Sequence, residues 1–105
     1  MMAEGKMQCS KVYEDEKFLS FRDINPQAPV HILIIPKKHI EKLHDAKDVS
    51  LLGELLNLAS RIARDEGIAD SGYRVVVNSG RDAGQSVEHL HAHLLGGRVM
   101  KWPPG

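Results

Sequence analysis

The chain has 105 residues, room for one domain with its own hydrophobic core and none for a second. Its 14 basic and 14 acidic residues cancel, so no global field steers it toward nucleic acid or an anionic membrane, and an anionic ligand must be recognised locally. A single cysteine, Cys9, excludes an internal disulfide framework, and aromatics at 5% are too few for a stacking platform for single-stranded nucleic acid. The first residues lack the apolar stretch of a signal peptide, and the longest apolar run, 32–35, is far short of the roughly 20 residues that span a bilayer. The expected location is the cytoplasm, with the nucleus as a second compartment.

Residues 1–10 are polar and poorly patterned, and are expected to be disordered. Residues 11–13 and 18–22 read as short strands joined by the acidic turn Glu14-Asp15-Glu16. Asn25-Pro26 and Ala28-Pro29 mark a turn. Residues 30–35 are β-branched and apolar apart from His31, a central strand that Pro36 stops. His39 and His44, in the polar stretch that follows, read as solvated surface groups. From Asp48, an N-cap residue, Leu51, Leu52, Leu55, Leu56, Ala59, Ile62 and Ala63 recur at three- and four-residue spacing. This predicts one core helix that stops at Gly67. Residues 73–78 predict another strand, 79–85 a loop containing Gly80 and Gly84, and 88–95 a last strand. The tail cannot extend that strand, because Pro103 and Pro104 lack the ladder donor. The expectation is one α+β domain over 11–105.

His89, His91 and His93 occupy alternate positions of the last predicted strand, so period-two geometry puts the three rings on one face, with Leu90, Ala92 and Leu94 on the other. Three imidazoles buried without partners would be costly, which argues for chemistry rather than packing. Two chemistries compete. Three same-face rings can bind zinc and leave a fourth position to water. Alternatively the central ring is a nucleophile flanked by donors that stabilise negative charge on phosphorus oxygens. The preceding loop favours the second, because Gly84 lets the backbone approach a ligand, and Gln85 and Ser86 add amide and hydroxyl donors just before the histidines.

The stretch Gly84-Gln85-Ser86-Val87-Glu88-His89-Leu90-His91-Ala92-His93-Leu94-Leu95-Gly96-Gly97 resembles the signature of the histidine triad (HIT) family. The segments at 21–29, 31–39 and 73–78 and the ending Trp102-Pro103-Pro104-Gly105 are similar to its Hint branch, the histidine triad nucleotide-binding proteins. The resemblance implies a HIT-like α+β fold with a five-stranded antiparallel sheet and one long helix. It also implies a homodimer that binds a purine mononucleotide or nucleoside phosphoramidate at each of two sites, with no metal or other cofactor. By position, Asp23 matches the residue that bonds the ribose hydroxyls, and Phe21, Ile24 and Leu33 match the apolar base pocket. Asn78, Gly84, Gln85, Ser86 and Val87 match the phosphate-proximal set, several through backbone groups. His91 matches the nucleophile, His93 a phosphate ligand and His31 a fourth, orienting histidine, while His89 completes the triad and Ser86 supplies a proton to the leaving amine. The chain departs from the family in three places. Residues 1–10 do not resemble the usual N-terminal helix, Arg22 replaces a common histidine, and Glu88 stands where an aromatic residue is frequent.

The implied reaction is hydrolysis of a nucleoside 5′-phosphoramidate through a nucleotidyl-His91 intermediate. Its competitors are hydrolysis of dinucleoside polyphosphates and a non-catalytic, nucleotide-sensing adaptor. Leu94-Leu95-Gly96-Gly97-Arg98 favours the phosphoramidase branch, since the polyphosphate hydrolases usually place a proline directly after the equivalent strand. Trp102 has no evident place in the core of its own chain and is expected near the partner's active site or as a surface anchor for the tail.

Overall fold

The computed structural model describes residues 10–105. Its elements are β1 (Lys11–Glu14), β2 (Phe18–Arg22), β3 (Val30–Pro36), α1 (Val49–Asp65), β4 (Tyr73–Val76) and β5 (Ala92–Gly96). The strands form one antiparallel sheet in the order β1-β2-β3-β5-β4. One helix and five antiparallel strands are the HIT-like α+β architecture expected from the sequence. The expected disorder of residues 1–10, and the segment where the family's first helix would fall, lie almost wholly outside the described residues.

α1 forms where the apolar periodicity predicts it. The Asp48 carboxylate accepts the Leu51 N–H, satisfying one of the unpaired amides of the first turn. At the other end Gly67 takes a φ of 76°, and the Ile68 N–H returns to the Ala63 carbonyl, closing the helix as the sequence implies. The buried stripe is Leu51, Leu55, Leu58, Ala59, Ile62 and Ala63. It includes Leu58 and leaves Leu56 exposed, a correction to the predicted face. Positions 51, 55, 58 and 62 lie on one side of a 3.6-residue repeat, and Leu56 falls on the flank. The stripe packs against Phe18, Ile32, Ile34, Leu90, Ala92 and Leu94 on the facing side of the sheet.

The central ladder has a fixed register: Phe21 opposes Leu33, Leu33 opposes His93, Ile34 opposes Ala92 and His31 opposes Leu95. Alternation therefore sends His31, Leu33, Ile35 and His93 to the face away from α1, together with Leu19 and Phe21. β5 begins at Ala92, four residues later than the sequence predicts. Extending the register places Leu90 opposite Pro36, and a proline has no N–H to continue the ladder. His89 and His91 consequently lie in the extended segment leading into the strand, while Leu90, Ala92 and Leu94 remain buried on the helix side. β4 stops at Val76, so Asn78 lies just beyond it.

Candidate active site

The site grows from the end of β3, the segment entering β5 and the loop joining β2 to β3. His31, His89 and His91 each meet a backbone group that only donates or only accepts, which fixes whether the facing ring nitrogen carries a proton. The His91 Nδ1 lies 2.7 Å from the His89 carbonyl oxygen, and a carbonyl only accepts. Nδ1 therefore carries a proton, and in the neutral form of this buried ring the lone pair is on Nε2. His89 Nε2 donates to the Pro36 carbonyl at 2.7 Å, and the Leu90 N–H donates to Ile40 O. These two bonds fasten the histidine segment to the chain leaving β3. His39 is exposed and lies edge-on to His89 with ring centroids 5.3 Å apart, and His44 is exposed as expected.

His31 sits diagonally across the ladder from His93. The Gln27 backbone N–H donates to His31 Nδ1 at 3.0 Å, so that nitrogen accepts and the proton belongs on Nε2. Nε2–H faces His93 Nδ1 at 2.9 Å and one Asp23 carboxylate oxygen at 3.4 Å. With Nδ1 accepting, neutral His93 carries its proton on Nε2. Burial, and next the adjoining His91 and His31 rings, push the His93 pKa down to about 4, so the ring is neutral near pH 7. Burial also lowers His31, against the pull of Asp23. The His91 and His93 rings are 5.0 Å apart at a steep angle. The result is a lone pair on one ring beside an N–H donor on the next, the pairing needed to attack an electrophile while holding its oxygens.

Asp23 follows β2 directly. Its N–H bonds the His31 carbonyl, and its carboxylate caps the Asn25 N–H at 2.8 Å. Phe21 and Leu33 are buried partners across the ladder and form an apolar floor with Leu19 and Ile35. Ile24 does not join that floor. It is 90% exposed, because the chain bends at residue 24 after β2 has ended and strand alternation no longer sets its direction.

Gly84 adopts a left-handed φ of 83° and ends the short turn Arg81–Ala83, as a residue without Cβ allows. Gln85, expected in the phosphate-proximal set, is bonded within its own loop and to residue 41. Its N–H bonds Gly80 O, its Oε1 accepts from Gly80 N, and its Nε2 donates to Glu41 O and Val87 O. Its backbone N–H and both ends of its side-chain amide are committed to holding the loop on the approach to the histidines. Ser86 and Val87 are exposed in that loop and Asn78 is half-buried. Among the described residues no hydrogen bond joins the Ser86 or Asn78 side chain to the triad.

Asp23, His31 and His93 bring one potential metal-ligating atom each within 4.8 Å of one another. The donor set does not fit a cation. His31 would have to bind through a deprotonated Nε2, which moves its proton to Nδ1, directly against the Gln27 N–H. Sequence reasoning missed the groups that do most of the orienting, the Gln27 amide and the Pro36 and His89 carbonyls, since backbone groups have no residue signature.

A sheet covered on one face by a helix, with mutually oriented histidines on β3, on β5 and in the segment leading into β5, defines a small histidine-centred scaffold. The chain belongs to the HIT family: the HIT domain matches residues 4–100. It is 58% identical over 98 residues to the 14 kDa zinc-binding protein of Zea mays, covering 90% of this chain and 76% of that protein. A HIT family hydrolase from Legionella pneumophila superimposes with a TM-score of 0.94 at 50% identity, covering 99% of this chain and 95% of its own. A histidine triad nucleotide-binding protein from Candida albicans does so with a TM-score of 0.81 at 34% identity, covering 97% and 79%. At this level the protein is a HIT family hydrolase-like protein. No helix among the described residues is long and apolar enough to cross a membrane.

Proposed function

We propose that this protein is a Hint-branch hydrolase that binds a purine nucleotide and cleaves nucleoside 5′-phosphoramidates. The observation that carries the reading is the His91 ring, whose Nδ1–H is tied to the His89 carbonyl and whose Nε2 is consequently the nucleophilic nitrogen. Nε2 attacks the α-phosphorus, the phosphorus–nitrogen bond breaks, and the amine departs after gaining a proton from a donor such as Ser86. The imidazolium of the nucleotidyl-histidine is stabilised by the carbonyl on its Nδ1–H. Water then attacks phosphorus and returns its proton to the donor that protonated the amine, the P–Nε2 bond breaks, and neutral His91 returns with the nucleoside monophosphate. His93 Nε2–H holds a phosphoryl oxygen, Asp23 takes the ribose hydroxyls, and Phe21 and Leu33 lie under the base. The name of the maize relative raises zinc as a second reading, and the Gln27 amide on His31 weighs against it.

The test is acid-free quenching during turnover of adenosine 5′-phosphoramidate, followed by peptide mass spectrometry. An adenylyl group on His91 is expected, with kcat/KM well above that for diadenosine triphosphate. A polyphosphate preference, or an adduct elsewhere, overturns the assignment. We also propose a homodimer, supported by the outer edge of β4, which pairs with no strand among the described residues, and by the exposed Tyr73, Val99 and Trp102. Sedimentation as a monomer at tens of micromolar would count against it.

A further inference from the structure

The direction of the His31–His93 hydrogen bond is fixed from outside the triad. The Gln27 amide is a donor and nothing else, so it permits only the tautomer of His31 that bears its proton on Nε2. That amide belongs to an exposed loop, and the loop is held by the turn that follows β5. Arg98 Nε donates to the Gln27 carbonyl at 3.0 Å while its Nη1 donates to Val99 O at 3.0 Å. One residue earlier Gly97, at a φ of 90°, packs so closely on Pro29 that an added Cβ would lie 2.9 Å from the proline Cβ. Two independent contacts thus seat the turn beyond β5 on the same loop. Within the loop, the Gln27 side chain donates to Asn25 O, and Asn25 N–H bonds Asp23.

We propose that Arg98 and the Gln27 peptide form a clamp that keeps the His31 proton on Nε2, and thereby presents His93 to the ligand as an Nε2–H donor. Arg98 is a positioning residue: it acts through Gln27 and His31 and reaches the chemistry only by way of His93. Its effect on catalysis rests on the phosphoramidase reading above, whereas its effect on the histidine rings does not.

The experiment reads the imidazole nitrogens of the full chain by two-bond ¹H–¹⁵N correlation, alongside steady-state kinetics, in wild type, Arg98→Ala, Arg98→Lys and Gln27→Pro. Wild type is expected to show a bare Nδ1 and a protonated Nε2 on both His31 and His93. In Arg98→Ala the two His31 nitrogens move toward averaged shifts, and kcat falls about threefold to tenfold with little change in KM, the scale of one partly exposed hydrogen bond. Arg98→Lys, which keeps a donor for the Gln27 carbonyl, recovers most of both. Gln27→Pro removes the N–H itself and gives the larger nitrogen shift. An unchanged His31 pattern in Arg98→Ala and Gln27→Pro overturns the proposal, as does a loss of kcat that Arg98→Lys fails to restore. If the nitrogen shifts move as expected but wild type does not cleave the phosphoramidate, the clamp stands and the assigned reaction falls.

Discussion

The two faces of the sheet are made by the same strands and handle polar groups in opposite ways. On the face under α1, Ile32, Ile34, Ala92 and Leu94 are completely buried, as is the polar Ser20, whose hydroxyl has no partner among the described residues. On the other face His31, His91 and His93 are largely removed from solvent, and each has a defined hydrogen-bond partner or ring neighbour. A buried polar group without a partner costs stability and is tolerated where the surrounding packing compensates; a set whose partners fix every proton is arranged for chemistry. The difference teaches that burial alone does not mark the site. Directed partners do.

The sharpest way to break this contrast is His91→Ala, expected to lower turnover at least about a thousandfold by removing the proposed nucleophile while nucleotide affinity stays within a few fold. Parallel loss of binding, measured by calorimetry, would place His91 on the ligand-holding side instead. Ile34→Ala on the helix face should do the reverse. A destabilisation of about 2 to 5 kcal/mol is expected in a denaturant melt, with kcat per folded molecule near wild type. A large fall in kcat there would mean that the faces are not independent.

The pH dependence separates them next. His93 has a folded pKa of about 4 against an ordinary 6.5, so the folded state favours its neutral form. Its contribution to stability is complete above about pH 6.5 and is lost as the pH falls toward 4, because the unfolded chain takes up the proton first. The His93 ring-proton shift, followed by NMR, should titrate near 4; a midpoint above 6 would contradict the neutral donor. The smallest effect belongs to Ser20→Ala, expected to leave activity unchanged and to alter stability by no more than about 1 kcal/mol, in the stabilising direction, by deleting an unpaired hydroxyl. A marked destabilisation on thermal melting would show that Ser20 has a partner after all.

Much of the fold was legible because its signals are periodic. The helix stripe, the Asp48 cap, the Gly67 stop and the alternation of the histidine segment can all be read from residue types. What could not be read depends on distant pairing. The late start of β5 follows from Pro36 standing opposite Leu90, a register that no local window contains. The exposure of Ile24 follows from where β2 ends, and the internal engagement of Gln85 from the approach of residue 41 to residue 80. Of the residues the sequence singles out, the structure brings Asp23, His31, His91 and His93 together, and buries Phe21 and Leu33 on the same face of the sheet. The proton positions were beyond sequence, since they are dictated by carbonyls and amides that every residue possesses.

The fastening of His89 to Pro36 and of His31 to His93 spans 53 and 62 residues of chain. Contacts this remote form late, after the entropy of closing long loops has been overcome. During synthesis β3 emerges well before β5, so the rings it must meet do not yet exist. A nascent chain therefore carries His31 as an ordinary side chain, and reactivity switches on only when the final strand slots between β3 and β4. Completion of the sheet and birth of the catalyst are one event.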